Sequence, residues 1–146
     1  MSITDRVSVW TIRNIFRRAL SLKKGNKRSF GTEAENLAAN YLEGKGYRIL
    51  ERSYQYGHKE IDLICKIDNT IVFVEVKAAR SDKFGEPQAW VTKSKQKNLI
   101  AAAQGYIQEH DTSGYDFRFD VIAYSRIKND VRLNHFESAF YAEESP

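Results

Sequence analysis

The sequence predicts an α/β fold in which a mixed β-sheet is flanked by helices. Two segments whose apolar residues recur at helical spacing lie before and after a group of strand-like segments, and more strand-like sequence follows the second helix. The length of 146 residues is enough for one domain with a core but short for two typical domains. We therefore expect a single folded domain over residues 29–146, preceded by a basic arm over residues 1–28.

The first predicted helix has a clear apolar stripe and a possible start signal. Thr32 is followed three residues later by Glu35, which matches the Ser/Thr-x-x-Glu capping box and predicts that a helix opens at Thr32. The helix ends near Gly44 and Gly46. Its apolar stripe consists of Ala34, Leu37, Ala38, Tyr41 and Leu42.

A predicted hairpin follows, and it is the most informative part of the chain. Residues 60–67 and 71–77 alternate in polarity and are rich in Ile, Val and Phe, which predicts two strands. Asp68 and Asn69 tolerate the left-handed backbone of a two-residue turn. A turn of even length pairs Ile67 with Thr70, and the register then continues outward.

This register predicts that charged side chains gather on one face of the hairpin. It places Asp62 opposite Glu75, and Glu60 opposite Lys77. Opposed carboxylates destabilise a sheet unless a positive charge lies between them, and a divalent cation such as Mg²⁺ would supply it. The alternative is a polar strand face in contact with water. The nearly continuous apolar run over residues 71–76 argues against that alternative, because it is typical of a strand buried on both faces.

A polar loop and a second helix are predicted after the hairpin. Residues 78–88 contain Gly85 and Pro87, which is typical of a loop, and this loop could contact a substrate. Thr92 predicts the N-cap of the helix. Residues 115–121 then alternate as a strand, and residues 131–136 form a further one. The buried stripe of the helix is predicted to contain Leu99, Ala102, Ala103, Tyr106 and Ile107.

Three lysines crowd the first turns of this second helix. Lys93, Lys95 and Lys97 oppose the helix macrodipole, so we expect them to serve an external anion. Phosphate is the obvious candidate, and a solvated face of the helix is the alternative.

The basic character of the chain is concentrated in residues 1–28. This arm holds eight lysines and arginines against one aspartate, a charge of +7, and since the whole chain carries +4 the remainder carries −3. Its apolar residues recur at helical spacing, which predicts a basic amphipathic helix. We favour docking on the core or binding of nucleic acid through residues such as Arg17 and Arg18 over contact with an anionic membrane.

The amino-acid composition indicates the cellular compartment in which the protein is expected. No stretch approaches the roughly 18 apolar residues of a membrane helix, and the arm lacks the uncharged apolar core of a secretory signal. Cys65 is the only cysteine, so no intrachain disulfide can form, which suits a reducing compartment. We therefore expect a cytoplasmic protein in which Cys65 is a small buried residue.

The hairpin also resembles a known nuclease core. Residues 60–64 (Glu-Ile-Asp-Leu-Ile) and 72–77 (Val-Phe-Val-Glu-Val-Lys) are similar to the Asp…Glu-x-Lys pattern of the PD-(D/E)XK nuclease superfamily. An ordered series of further matches between Gly31 and Phe140 resembles, more narrowly, the YraN-like family of small bacterial predicted endonucleases, which are related in fold to archaeal Holliday junction resolvases. One departure is Lys59, where the family usually has glycine.

The resemblance implies a fold and a set of roles. It implies a restriction-endonuclease-like αβββαβ core. It implies that Asp62 and Glu75 are metal ligands, that Lys77 is the catalytic lysine, and that Glu60 is a support behind the ligands. It also implies that Glu35 is an additional metal ligand, a role that competes with the capping box because both cannot be fully served at once. The implied activity is Mg²⁺- or Mn²⁺-dependent cleavage of DNA, including branched or otherwise structured DNA, by a protein that could be a homodimer. The competing hypothesis is a non-catalytic module that binds nucleic acid or a partner protein and keeps the fold.

Overall fold

The computed structural model describes residues 27–79 and 91–142, which form two helices and a five-stranded sheet. The sheet order is β1-β2-β3-β4-β5; β3 and β4 are parallel, and the other neighbours are antiparallel. The predicted α/β class and the order αβββαβ are confirmed, with β5 added at the edge. In chain order the elements are α1 (Lys27–Gly44), β1 (Arg48–Tyr56), β2 (Lys59–Ile67), β3 (Thr70–Ala79), α2 (Lys93–Glu109), β4 (Asp116–Ile127) and β5 (Asp130–Phe140).

Each helix covers one face of the sheet. Along β3, Val72 and Val74 pack in the apolar cluster that contains α1, whereas Ile71 and Phe73 pack in the cluster that contains α2. This strand is therefore buried on both faces, as its continuous apolar sequence predicts. The predicted stripe of α1 is entirely buried, and that of α2 is buried except for Ile107, which is partly buried.

The predicted start of the first helix is wrong. Helix α1 already includes Lys27, so Thr32 lies inside the helix and not at its N-cap. The first residue of a capping box must be non-helical, and Thr32 is helical. Glu35 therefore does not cap the N-terminus of this helix. The division between residues 28 and 29 falls just after the start of this helix and stays a prediction. The basic arm up to residue 26, with Arg17 and Arg18, lies outside the described residues, as do residues 80–88 of the predicted loop.

The predicted cap of the second helix is confirmed. Thr92 has extended backbone angles, and its hydroxyl oxygen accepts a hydrogen bond from the backbone N–H of Lys95 at 3.2 Å. The hydroxyl thus satisfies one of the N–H groups that have no partner within the helix.

Replacing Thr92 with Ala is expected to destabilise the protein by about 1 kcal/mol, because the hydroxyl acceptor is lost and the N–H of Lys95 is left to water. Urea unfolding followed by circular dichroism measures this change. The matched control is Ser94→Ala, an exposed position in the first turn where alanine is the better helix former. Equal destabilisation by both substitutions would contradict the capping role.

The hairpin register is confirmed over its inner half. Ile67 pairs with Thr70 and Ile64 with Phe73, and Asp68 adopts a positive φ of 49° at the turn. The last backbone pair is Leu63 with Val74. Beyond this point β2 remains paired with β1, and β3 with β4, so the two strands of the hairpin separate from each other.

Candidate functional site

The candidate site lies where β2 and β3 separate. The predicted backbone pairs Asp62–Glu75 and Glu60–Lys77 are absent from the ladder, which is a correction to the sequence analysis. The Asp62 carboxylate instead accepts a hydrogen bond at 2.8 Å from the backbone N–H of Val76. The Asp62 side chain thus replaces the backbone carbonyl of β2 that would accept this hydrogen bond if the two strands stayed paired. The strands therefore separate without leaving the N–H of Val76 unsatisfied.

The alternation of β2 is also interrupted at this point. Ile61 packs in the cluster of α2, whereas Leu63, two residues later, packs in the cluster of α1. Residues two apart in a regular strand share a face, so the strand must twist or bend around Asp62. Asp62 consequently stands in the opening between the strands, half-buried, and can be approached from α1 as well as from β3.

Three carboxylates converge in this opening. Glu35 from α1 and Glu60 and Asp62 from β2 each offer an oxygen, and these oxygens lie within 4.8 Å of one another. Burial raises the pKa of Glu35, and the charges of Asp62 and Glu60 raise it further. Gln55, opposite Glu60 on β1, donates a hydrogen bond to the Glu60 carboxylate. The cluster therefore concentrates negative charge at a spacing that one cation could bridge.

Glu75 lies beside this cluster and is nearly inaccessible, with 5% of its surface exposed. Its Oε1 is 3.8 Å from Nζ of Lys77 and 3.6 Å from Nζ of Lys95. Its Oε2 is buried and has no hydrogen-bond partner among the described residues. Burial, followed by the charge of Asp62, raises the pKa of Glu75 to about 8, although both lysines oppose this shift. Burial also raises the pKa of Asp62, against the hydrogen bond from Val76.

The site therefore brings together all of the residues that the sequence analysis proposed as ligands or catalytic groups. Glu35, Glu60 and Asp62 form the open cluster, and Glu75 and Lys77 lie at its inner side. Their assigned roles stay predictions. Glu60, proposed only as a support, lies with Glu35 and Asp62 within the same 4.8 Å.

The three lysines of α2 are not equivalent. Lys93 and Lys97 are exposed, whereas Lys95 is half-buried and pairs with Glu75. The acidic group next to Lys95 is thus a carboxyl group of the protein itself. Among the three lysines, Lys95 alone belongs to the series of residues that carry the family resemblance. Charge and helical spacing did not predict its contact with Glu75, because the contact depends on how α2 packs against the sheet.

A second polar cluster is centred on the fully buried Asp120 and received no role in the sequence analysis. The Asp120 carboxylate accepts hydrogen bonds from His135 at 2.7 Å, from Arg118 at 2.8 and 2.9 Å, and from the backbone N–H of Ser138 at 3.0 Å. The other ring nitrogen of His135 is 3.3 Å from the hydroxyl of Tyr41 on α1. A charged residue inside the apolar run of β4 was the signal that could have revealed this cluster.

This second cluster connects the sheet to the helix that carries Glu35. It joins β4 and β5 to α1, the helix that presents Glu35 to the site. Burial alone would raise the pKa of Asp120, but the hydrogen bonds from His135 and Arg118 hold it below its ordinary value. The aspartate is therefore ionised and serves as the common acceptor of the cluster.

Comparison with known proteins places this fold and site in a family. A family model described as "Uncharacterised protein family UPF0102" matches residues 34–124. That range contains both clusters except His135 and Ser138. The chain belongs to UPF0102. This is the YraN family, so the resemblance found in the sequence is confirmed.

Members of UPF0102 are similar to this chain over most of their length. The UPF0102 protein of Chloroherpeton thalassium is 43% identical over 121 residues, which cover 80% of this chain and 92% of that protein. The UPF0102 protein of Caldicellulosiruptor saccharolyticus is 41% identical over 117 residues, covering 79% and 99%. That of Thermodesulfovibrio yellowstonii is 45% identical over 111 residues, covering 76% and 95%.

A solved structure is distantly similar. It is that of Pyrococcus furiosus SfsA in complex with Ca²⁺, with 13% sequence identity and a TM-score of 0.33, over 77% of this chain and 64% of that one. Similarity at this level carries no argument about activity. Within the described part of this UPF0102 member, neither helix has the length and apolar character required to span a membrane.

Proposed function

We propose that this UPF0102 protein is a metal-dependent nuclease that hydrolyses phosphodiester bonds of DNA. The observation that carries the proposal is the buried Glu75, whose Oε2 lacks a partner among the described residues beside a cluster of three further carboxylates. A buried carboxyl oxygen without a hydrogen-bond partner costs free energy, and a bound ligand that supplies the partner accounts for it. The arrangement is therefore best explained as a cation site.

The donor set fits Mg²⁺ or Mn²⁺. All candidate ligands are carboxylate oxygens, which these hard cations prefer, and the described part of the site contains no histidine or cysteine ligand that would favour zinc. Asp62 and Glu75 would hold the cation, and Glu35 and Glu60 would supply further carboxylate ligands. Such a cation, when bound, supplies an activated water and polarises a phosphoryl oxygen.

The protein's own residues define how a phosphodiester could be handled. Val76 fixes the orientation of the Asp62 carboxylate through its backbone N–H. Lys77 holds an ammonium beside Glu75, where it can offset the charge that develops on a phosphate during hydrolysis. Lys93 and Lys97, exposed on the first turns of α2, offer phosphate contacts away from the reacting group.

DNA is the proposed substrate because the site lies on a protein with a basic N-terminal sequence and exposed lysines near the cluster. Branched or structured DNA, homodimer formation and a cytoplasmic location stay predictions from the resemblance and the composition. Each can be tested once cleavage is established.

The proposal is tested with purified protein, Mn²⁺ or Mg²⁺, and a labelled panel of single-stranded, duplex, flapped and four-way-junction DNA together with RNA. We expect metal-dependent cleavage of at least one DNA substrate, reduced by at least about 100-fold in Glu75→Ala, since even residues that only support metal ligands contribute 10- to 100-fold. The matched control is Glu43→Ala, an exposed carboxylate of α1, which should cleave as the wild type does.

Two results would change the assignment. Equal cleavage by wild type and Glu75→Ala would place the activity outside this site. Binding of DNA without cleavage under every condition, unchanged in Asp62→Asn and independent of metal, would favour the non-catalytic module.

A further inference from the structure

Two lysines from different elements converge on one carboxylate oxygen. Lys77 belongs to β3 and Lys95 to α2, and their amines lie 3.8 and 3.6 Å from the same Oε1 of Glu75. Two ammonium groups thus lie beside a single carboxyl group on this side of the site. That is an excess of positive charge next to a cluster that is otherwise acidic.

The two amines are also accessible to a ligand. The side chains of Lys77 and Lys95 are 36% and 38% exposed, whereas that of Glu75 is 6% exposed. An ammonium group has three N–H donors, and the contact with Glu75 occupies at most one of them on each lysine. The other donors of both groups can therefore reach an anion at the surface without any movement of the buried carboxylate.

Lys95 differs in this respect from the neighbouring lysines of α2. Lys95 pairs with Glu75 at the centre of the site, whereas Lys97, two residues later in α2, is exposed. Lys95 also belongs to the first turn of α2, where the helix macrodipole adds to its positive potential. An anion held by Lys77 would thus meet Lys95 at the same place.

We propose that Lys95 binds the phosphate group of the substrate together with Lys77, so that two elements hold one phosphate. This inference rests on the proposed function for the identity of the phosphate-bearing substrate. Lys95 would then act on the reacting phosphate, whereas Lys93 and Lys97 would contribute only general attraction to the DNA backbone. The bidentate hold would fix the phosphate relative to the carboxylates.

The experiment measures binding of inorganic phosphate by the full chain with Mn²⁺ present, through the paramagnetic broadening of the ³¹P resonance. The affinity for Mn²⁺ is first measured by calorimetry for the wild type, Lys95→Ala, Lys95→Arg and Lys128→Ala, which removes an exposed lysine from the turn between β4 and β5. We expect phosphate affinity to fall by about tenfold or more in Lys95→Ala, as for loss of a charge-assisted hydrogen bond. Lys95→Arg should retain part of this affinity, and Lys128→Ala should match the wild type.

The outcomes separate this inference from the proposed function. Equal phosphate affinity in wild type and Lys95→Ala, an equal loss in Lys128→Ala, or no phosphate binding by the wild type would each overturn the role of Lys95. Loss of phosphate binding in Lys95→Ala, in a protein that cleaves no DNA, would support Lys95 as a phosphate ligand and refute only the nuclease assignment. On a cleaved DNA, the inference requires that Lys95→Ala lowers kcat and that Lys97→Ala raises KM instead.

Discussion

Replacing Glu75 with Gln is expected to stabilise the metal-free protein at pH 8 by on the order of 3 kcal/mol. The physical reason is the burial of Glu75 next to Asp62, which raises the pKa of Glu75 from 4.5 to about 8. Above that pH the wild type must hold a buried carboxylate whose Oε2 has no partner among the described residues. Glutamine has nearly the same shape and carries no charge to desolvate.

The pH dependence of this difference follows from the direction of the pKa shift. Between pH 4.5 and pH 8 the folded protein retains the Glu75 proton, whereas the unfolded chain loses it. Folding stability contributed by this proton is therefore fully present below pH 4.5 and is lost progressively as the pH rises to about 8. We expect Glu75→Gln and the wild type to have similar stabilities near pH 4.5 and to diverge toward pH 8.

Urea unfolding of EDTA-treated protein at several pH values measures the difference. Glu43→Gln, which changes an exposed carboxylate of α1, is the control for the general effect of removing a negative charge. Added Mn²⁺ should stabilise the wild type at pH 8 and stabilise Glu75→Gln less, because a cation can replace the proton only where a carboxylate is present. A constant difference between the two proteins across this pH range would show that Glu75 has an ordinary pKa.

If Glu75→Gln is more stable than the wild type but inactive, the cost of Glu75 in stability is linked to its role in function. Residues that reduce stability and are nevertheless kept in a buried position are typical of sites that a ligand completes. Glu75 has this character in the metal-free protein, whereas an ordinary structural carboxylate, such as Asp120, has donors for both of its oxygens. The two buried acids thus have opposite effects on stability.

The α/β class and the candidate residues of the hairpin were predictable because they depend on local patterns, whereas Glu35 was named as a ligand only through the family resemblance. The strand alternation, the turn at Asp68 and the cap at Thr92 all involve residues close in sequence. The spacing of Asp62, Glu75 and Lys77 within the hairpin was sufficient to select them. The register was correct as far as Leu63 and Val74, which is why the predicted residues lie close together.

The parts that could not be predicted depend on tertiary packing. The separation of β2 and β3 is stabilised by a side chain that takes over a backbone hydrogen bond, and strand periodicity contains no sign of it. The contact of Lys95 with Glu75 requires the position of α2 on the sheet. The capping motif at Thr32 was misleading because the helix extends further toward the N-terminus, where its first residues are polar and basic.

Replacing Asp120 with Ala is expected to reduce the free energy of unfolding by about 3–5 kcal/mol, the usual effect of breaking a buried ion pair. Asp120 is fully buried and accepts hydrogen bonds from Arg118, His135 and the backbone of Ser138. Alanine would leave the partly buried guanidinium and the buried imidazole without their shared acceptor. The cost is dominated by these orphaned donors and not by the lost side chain itself.

Urea unfolding at pH 7 tests this expectation, with Asp130→Ala as the matched control. Asp130 also pairs with an arginine, Arg132 at 3.1 Å, but both of those side chains are more than half exposed. Exposed pairs contribute little, so the control should differ from the wild type by less than about 1 kcal/mol. Similar losses for the two aspartates would contradict the role assigned to the buried cluster.

The Asp120 variant should also weaken metal binding, because the cluster reaches α1 through Tyr41 and α1 carries Glu35. Under conditions where Asp120→Ala is still folded, we expect a lower affinity for Mn²⁺ and unchanged affinity in Asp130→Ala. If Asp120→Ala lowers the free energy of unfolding but leaves the Mn²⁺ affinity unchanged, the buried cluster contributes to stability and not to metal binding. A joint effect would instead show that the buried aspartate supports the site by holding the helix that supplies one of its carboxylates.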